Sequence, residues 1–159
     1  MKFLRKIKTV SAIAGISVMM MVGPQAIAMD DPDAIVKERQ VVMDNVKNTV
    51  GALSKAVKSG ASTEDILAAA DAFLTATASS VTVEAFKTNT HGKSTVKTTA
   101  TEKVWTDWAR FEQALLDMES GAKEIQVAAA AGTLTSEDQL GVALKECGFC
   151  HRSAGYRAR

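Results

Sequence analysis

Runs of alternating apolar and polar residues, the pattern of a half-buried β-strand, are almost absent from this sequence. Aromatic residues make up only 5% of the chain, and alanine is abundant. After the N-terminal region, we expect no apolar segment to be long enough to cross a bilayer as a helix, which takes roughly 20 residues. We therefore expect an all-α protein without stable membrane insertion in its mature form.

Nitrogen and sulfur ligands for a metal are also scarce, since the chain has two cysteines and two histidines. A structural zinc ion takes about four such ligands. Cys147, Cys150 and His151 lie together near the C-terminus, and the other histidine, His91, lies in a polar stretch. A zinc site is therefore disfavoured. We find neither a nucleophile beside a base nor paired carboxylates in a plausible cleft, so we do not expect an enzyme.

Residues 1–28 have the pattern of a secretory signal peptide. Four basic residues come first, an apolar stretch over 10–22 follows, and Ala26 and Ala28 supply the small residues of a cleavage site. We expect cleavage to leave residues 29–159 as one domain in the periplasm. The alternative, an uncleaved membrane anchor, is disfavoured because the apolar stretch is short.

The mature chain has 15 basic and 18 acidic side chains, because four of the 19 lysines and arginines lie in the signal segment. A mildly acidic protein lacks the surplus of positive charge with which proteins bind phosphate backbones. We therefore do not expect nucleic acid as a partner.

Four stretches show the apolar periodicity of amphipathic helices. In the first, steps of three and four residues alternate along a seam made of Val36, Arg39, Met43, Val46, Val50, Leu53 and Val57. The second is predicted over 63 to about 79, and the third from about 101 to Gly132. Ser136 and Gln139 form a capping box before the fourth. Residues 81–101 are expected to be a long connection with at most a short turn near Phe86.

Four such helices predict an antiparallel four-helix bundle, in which side chains of facing helices build cofactor sites. The fourth carries Cys147-Gly148-Phe149-Cys150-His151, and Cys-x-x-Cys-His is the attachment signature of a c-type haem. On a helix the two thiols and the imidazole share one inward face. We predict one covalent haem c. The alternatives are a thioredoxin-type redox pair, which would follow a strand, and a disulfide, which leaves His151 unexplained.

Three positions of the first helix bear on the opposite side of such a haem. Arg39 occupies a seam position, where a buried guanidinium needs an anion, and haem propionates supply two. The alternative is that Arg39 reaches solvent at the end of the bundle. Gln40 could hydrogen-bond a propionate. Met43 either packs in the core or binds the iron, which suits electron transfer, whereas an open position suits gas binding.

The chain resembles the class II cytochromes c, the cytochrome c-prime family. The resemblance covers nearly all of the mature chain. It is carried by residues 36–40, Trp105-x-x-Trp108-x-x-Phe111-Glu112, and the terminal Cys-x-x-Cys-His followed by Tyr156-Arg157.

This resemblance implies a periplasmic four-helix bundle with one haem c, bound covalently by Cys147 and Cys150. It implies His151 as the proximal iron ligand. The remaining haem contacts that it implies are Arg39, Gln40 and, in the loop before the third helix, Thr99.

The family has a five-coordinate branch and a low-spin branch, in which a methionine at the place of Met43 binds the iron. Residues 39–43 look more like the low-spin pattern, so we expect electron transfer with redox proteins as partners. The alternative is a five-coordinate protein that binds NO or CO. Dimerisation through the first two helices is common in the family and would be possible here.

Two departures from the family pattern stand out. Tyr156 and Arg157 follow the histidine by five and six residues, where the family has three and four. The positive group beside the proximal imidazole would then be Arg152. The loop before the third helix also lacks its usual proline over residues 98–101.

Overall fold

A computed structural model describes residues 31–158, so the predicted signal peptide lies outside the described residues. The helices are α1 Pro32–Lys58, α2 Thr63–Thr77, α3 Ser79–Lys87, α4 Lys103–Thr106, α5 Trp108–Ala130 and α6 Gly141–Gly148. A 3₁₀ turn over Glu137–Leu140 precedes α6, and a π-helical turn over Phe149–Ser153 follows it. In this part of the chain the only β-type pairing is an isolated antiparallel bridge between Ala100 and Arg157. The all-α fold class is confirmed.

The helices α1, α2, α5 and α6 form the four-helix bundle that the sequence predicted. Each packs against the next of the four along the chain, and antiparallel neighbours are the rule for such a topology. Helix α6 packs along α5, whereas α1 meets the 3₁₀ turn that precedes α6. The end of α6, which carries the Cys-x-x-Cys-His motif, is at the same end of the bundle as the beginning of α1. We call it the motif end.

The predicted seams form the core. Buried side chains of α1 and α5 at seam positions are Val36, Arg39, Val46, Leu53, Val57, Phe111, Leu115, Met118, Ala122, Ile125 and Ala129. The seam positions Met43, Val50 and Trp108 are half-buried instead. Gly132 ends the third stretch in a left-handed conformation with φ of 67°.

Side chains cap two of the helical segments. The Asp31 side chain accepts a hydrogen bond from the backbone N–H of Asp33 at 3.0 Å, at the start of α1. The backbone N–H of Ser136 donates to Oε1 of Gln139 at 3.0 Å, which completes the predicted capping box. These local signals fix where the helices begin.

Helix α3 corrects the expectation of a long connection over residues 81–101. Its buried residues are Thr82 and Phe86, a single turn apart, which is too little for a periodic pattern. A nine-residue helix is marginal by itself. It is held by other helices: the Glu119 carboxylate of α5 accepts from the N–H of Ser79 at 2.9 Å, and Arg39 of α1 donates to carbonyls at its C-terminal end.

The segment Thr63–Lys87 corrects a second expectation, because it is long and apolar enough to cross a membrane by length and composition. The chain nevertheless breaks between α2 and α3 at Ala78, whose ψ is 132°. The residues of α2 that the bundle buries are Ile66, Ala70, Phe73, Ala76 and Thr77. This face of α2 packs into the bundle.

Helices α5 and α6 approach each other closely at Gly121. A Cβ atom at this position would lie 2.7 Å from the carbonyl oxygen of Val142 and 2.8 Å from Cα of Ala143. Since both neighbours are backbone atoms, they cannot move aside without moving α6. The glycine therefore sets the spacing of the helix that carries the motif.

We expect Gly121→Ala to lower the free energy of unfolding. Overpacking costs about 1–3 kcal/mol, while the gain in helix propensity offsets about 1 kcal/mol. Gly51→Ala is the matched control, since no atom lies within 4 Å of a Cβ at that exposed position of α1, and it should stabilise by about 0.5–1 kcal/mol. Urea unfolding of both variants measures the difference; equal stabilisation by both would contradict the close approach.

Candidate functional site

The two cysteines of the motif are free, half-buried thiols. Cys147 lies in the last turn of α6 and Cys150 in the π-helical turn, and both pack against the main core cluster. Burial raises the pKa of the Cys147 thiol, and burial together with the charge of Glu146 raises that of Cys150 to about 12. Both thiols are therefore protonated at neutral pH.

His151 lies in a π-helical turn, whereas the sequence predicted an α-helix. The N–H of Ala154 donates to the carbonyl of Phe149 at 2.9 Å, a span of five residues that widens the helix into a π turn. Positions four apart therefore no longer stack as they do in an α-helix. Cys147 and Cys150 are half-buried and His151 is exposed, and the shared inward face of the three residues stays a prediction. The role of His151 as an iron ligand also stays a prediction.

The positive group beside the imidazole is Arg157, not Arg152 as expected. Nη1 of Arg157 lies 3.3 Å from Nδ1 of His151. Burial and then the charge of Arg157 lower the pKa of His151, which favours the neutral imidazole that binds metals. The guanidinium of Arg152 lies over Gly148 instead, where a Cβ would come within 2.8 Å of Nη2.

The backbone after the motif accommodates the unusual spacing of five residues between His151 and Tyr156. The π turn is followed by Gly155, whose φ of 74° turns the chain back towards the bundle. Tyr156 then enters the core, where it is 2% exposed and its hydroxyl donates to Asp107 at 2.8 Å. Its ring meets that of Phe149, inside the motif, edge-on at a centroid distance of 5.9 Å. Tyr156 thereby anchors the motif to the beginning of α5.

The connection between α3 and α4, residues 88–102, passes beside the motif. The N–H of Thr101 donates to the carbonyl of Tyr156 at 2.9 Å, and the N–H of Ala158 donates to that of Thr99 at 2.7 Å. Thr99 is thus brought next to the C-terminal segment, with an exposed side chain. Whether it touches haem stays a prediction.

The same connection is bound to α1 by groups that the sequence analysis missed. The Asp33 carboxylate accepts from Oγ of Ser94 at 2.7 Å, and from N and Oγ1 of Thr95 at 2.7 and 2.6 Å. These hydrogen bonds, first of all the one from the Thr95 hydroxyl, lower the pKa of Asp33 to about 2. Gln40, expected at a propionate, donates to the carbonyl of Lys97 at 2.8 Å.

Arg39 is buried, as its seam position predicted, and is only 3% exposed. Its guanidinium donates to the carbonyls of Ala85 and Thr88 at 2.9 and 3.2 Å, and to Oγ1 of Thr90 at 3.0 Å. It also lies over the ring of Phe86 at 4.8 Å. The argument that its burial demands an anion is therefore wrong, because neutral oxygens at a helix C-terminus meet the charge. Its contact with haem stays a prediction.

Met43 follows Arg39 by one helical turn on α1. It is half-buried and packs against the same core cluster as Cys147 and Cys150. This position suits either of the two roles that the sequence left open for Met43, core packing or iron ligation.

The donor set fits haem c. Two protonated thiols and an imidazole occupy one stretch of helix at the motif end, and a thioether faces the same core. In the part of the chain that the structure describes, no three or more His, Cys, Asp or Glu side chains gather to hold an ion. Cys147 and Cys150 would carry the thioether bonds and His151 would bind the iron, which supplies redox and gas-binding chemistry.

Comparison with known proteins agrees with a haem c site. A family model described as Cytochrome C' matches residues 34–157. A nitrosyl complex of a cytochrome c prime variant from Alcaligenes xylosoxidans is 26% identical over 81% of this chain and 98% of that one, with a TM-score of 0.65. A ferrous variant from the same organism with bound NO is 25% identical over the same shares, with a TM-score of 0.66. No curated protein matches the chain significantly.

We expect Arg39→Lys to loosen α3 specifically, because an ammonium cannot reach all three oxygens that the guanidinium binds. Loss of hydrogen bonds to a charged group costs about 1.5–3 kcal/mol. Hydrogen exchange of the holoprotein should show faster exchange over residues 79–90 than elsewhere. Lys37→Ala, an exposed position of the same helix, is the control and should change stability by less than about 0.5 kcal/mol. Unchanged exchange in α3 would contradict its dependence on Arg39.

Tyr156 is the only tyrosine, so its ionisation can be followed alone. Burial and the hydrogen bond to Asp107 raise its pKa from 10.0 to about 12. The stabilisation is full below the unfolded pKa and is lost as the pH rises through the folded one. Ultraviolet difference titration of the native holoprotein should give a midpoint about two units above that of the denatured protein. Tyr156→Phe should lose the corresponding pH dependence of stability; coincident midpoints would contradict the anchor.

Proposed function

The chain belongs to the cytochrome c-prime family, whose members carry one covalent haem c, and from this premise we propose that it binds a small gas, nitric oxide above all, at the haem iron. The observation that supports this proposal is the similarity of the chain, at 25–26% identity over 81% of its length, to cytochrome c prime structures that hold NO. This comparison favours gas binding over the electron transfer expected from Met43.

In this proposal each candidate residue has a distinct task. Cys147 and Cys150 hold the haem, and His151 is its one protein ligand. Met43, half-buried on α1, would cover the gas-binding side of the haem without binding the iron. The protein then stores or carries gas and is not a catalyst. Proteins of the family are generally periplasmic, and we propose the same location here, in line with the expected signal peptide.

Electron transfer with His151 and Met43 as axial ligands is the second candidate. The observation in its favour is the position of Met43, which packs against the core cluster that both cysteines contact. A thioether that faced solvent could not serve as a ligand. The redox partners expected from the sequence belong to this second proposal, and also to gas binding if the iron must be reduced first.

Met43→Leu separates the two candidates, because leucine nearly conserves volume but has no sulfur. Met118→Leu is the matched control, since Met118 is a buried seam methionine of α5, 5% exposed. We expect the wild-type holoprotein to be high-spin, with a spectrum that shifts on addition of CO or NO, and neither substitution to change this. Optical absorption of the ferric and ferrous forms is the measurement.

A low-spin wild-type spectrum with a weak far-red sulfur-to-iron band, unaffected by CO, would contradict the gas-binding proposal. Conversion of that spectrum to high spin by Met43→Leu, but not by Met118→Leu, would then establish the electron-transfer alternative.

A further inference from the structure

Positive charge is concentrated in two segments beside the attachment motif of an acidic protein. Residues 88–103 and 149–158 carry five basic side chains and one acidic one, Glu102, whereas the other described residues carry nine basic and sixteen acidic ones. We call the five the basic face: Lys93, Lys97, Lys103, Arg152 and Arg157. Asp33 of α1 also lies against these segments, through its hydrogen bonds with Ser94 and Thr95, so the surplus is five basic against two acidic side chains. The two propionates of a haem c would reduce this surplus without reversing it.

The fold, not the sequence, brings these charges together. Two segments about 50 residues apart are joined by the pairing of Thr99 with Ala158 and of Thr101 with Tyr156. This places Lys97 and Lys103 close to Arg157, which itself lies beside His151. All five side chains of the basic face belong to exposed residues.

The segment that carries the lysines is held in place. Three hydrogen bonds to Asp33 and one from Gln40 fix residues 94–97 on α1. A charged patch on a fixed backbone loses less conformational entropy on binding than one on a mobile loop. The lysines therefore form a defined surface beside the attachment motif.

We propose that the basic face docks the acidic surface of a redox protein, which passes one electron to the haem and converts ferric to ferrous iron without making or breaking a bond in this chain. The inference rests on the proposed function in one respect: the relative with bound NO at 25% identity is a ferrous form, so a gas-binding haem of this kind needs a reductant. Complementary charge around a redox centre steers such encounters.

An acidic protein surface fits better than an anionic membrane. The described residues outside the two segments have seven more acidic than basic side chains. An extended anionic plane laid against the motif end would also come close to the exposed acidic side chains at the beginning of α1, Asp31 and Glu38, and would repel them. A compact protein partner can meet the basic face alone, because charges more than about 8–10 Å away are screened.

The test uses ferric holoprotein and two reductants of opposite charge: reduced flavodoxin, an acidic redox protein, and reduced methyl viologen, a small cation. The variant is Lys93→Gln, Lys97→Gln and Lys103→Gln combined. The matched control combines Lys47→Gln, Lys55→Gln and Lys58→Gln on α1, which removes the same charge elsewhere. Reduction rates are measured by stopped flow at several salt concentrations.

We expect salt to slow reduction by flavodoxin in the wild type. At low salt the basic-face variant should be slowed about five- to tenfold and the control less than about twofold. Reduction by methyl viologen should not slow in either variant, which shows that the haem is intact. Rates independent of salt, or equal losses in variant and control, would overturn the proposal.

Vesicles of phosphatidylcholine and phosphatidylglycerol test the other source of negative charge. Cosedimentation of wild type but not of the basic-face variant, with flavodoxin rates equal in both, would overturn the proposal in favour of a membrane surface.

Binding of CO by the ferrous variant is measured separately. Loss of CO binding in all proteins with docking retained would refute the proposed gas binding and leave the docking surface standing.

Discussion

The buried guanidinium of Arg39 is the interaction on which the motif end depends. It joins α1 to the last carbonyls of α3 and to the hydroxyl of Thr90, where the connection to α4 begins. A cation near a helix C-terminus and an anion near its N-terminus both interact favourably with the helix dipole. Helix α3 has both, because Arg39 donates to carbonyls at its C-terminal end and the Glu119 carboxylate accepts from the N–H of Ser79. A nine-residue helix with little apolar surface is thus held by charges from two longer helices.

From α3 the contact continues through aromatic rings to the attachment motif. Phe86 meets Phe111 at a centroid distance of 4.9 Å, Phe111 meets Tyr156 at 5.1 Å, and Tyr156 meets Phe149 at 5.9 Å. Phe149 lies between the two cysteines. Only 5% of the residues in the chain are aromatic, yet these four rings lie together. Their contacts hold the attachment motif rigidly against the bundle. The position of the thiols therefore depends on packing that begins at Arg39.

What the sequence could predict follows from the range of each interaction. The seam of α1, the presence of helices α2 and α5, the capping box at Ser136, and the motif itself depend on neighbours within a few residues, and their patterns were predicted correctly. Helix α3, the Asp33 hydrogen bonds and the contact of Arg157 with His151 were not predicted. Arg39 meets Ala85 across 46 residues, and Asp33 meets Thr95 across 62, which no local pattern encodes. The π turn likewise depends on a distant contact, because Tyr156, which follows it, is buried and donates to Asp107 across 49 residues.

The same distinction governs the chemistry left open by the sequence. Whether Met43 binds the iron depends on the distance between α1 and the motif, and α1 does not pack along α6 as α5 does. That distance is set indirectly: Gly121 fixes α6 on α5, and Arg39, through α3, ties α1 to the same end of the bundle. A methionine at one seam position is therefore compatible with five- or six-coordinate iron. Coordination in this protein is a property of the bundle's spacing rather than of the residue alone.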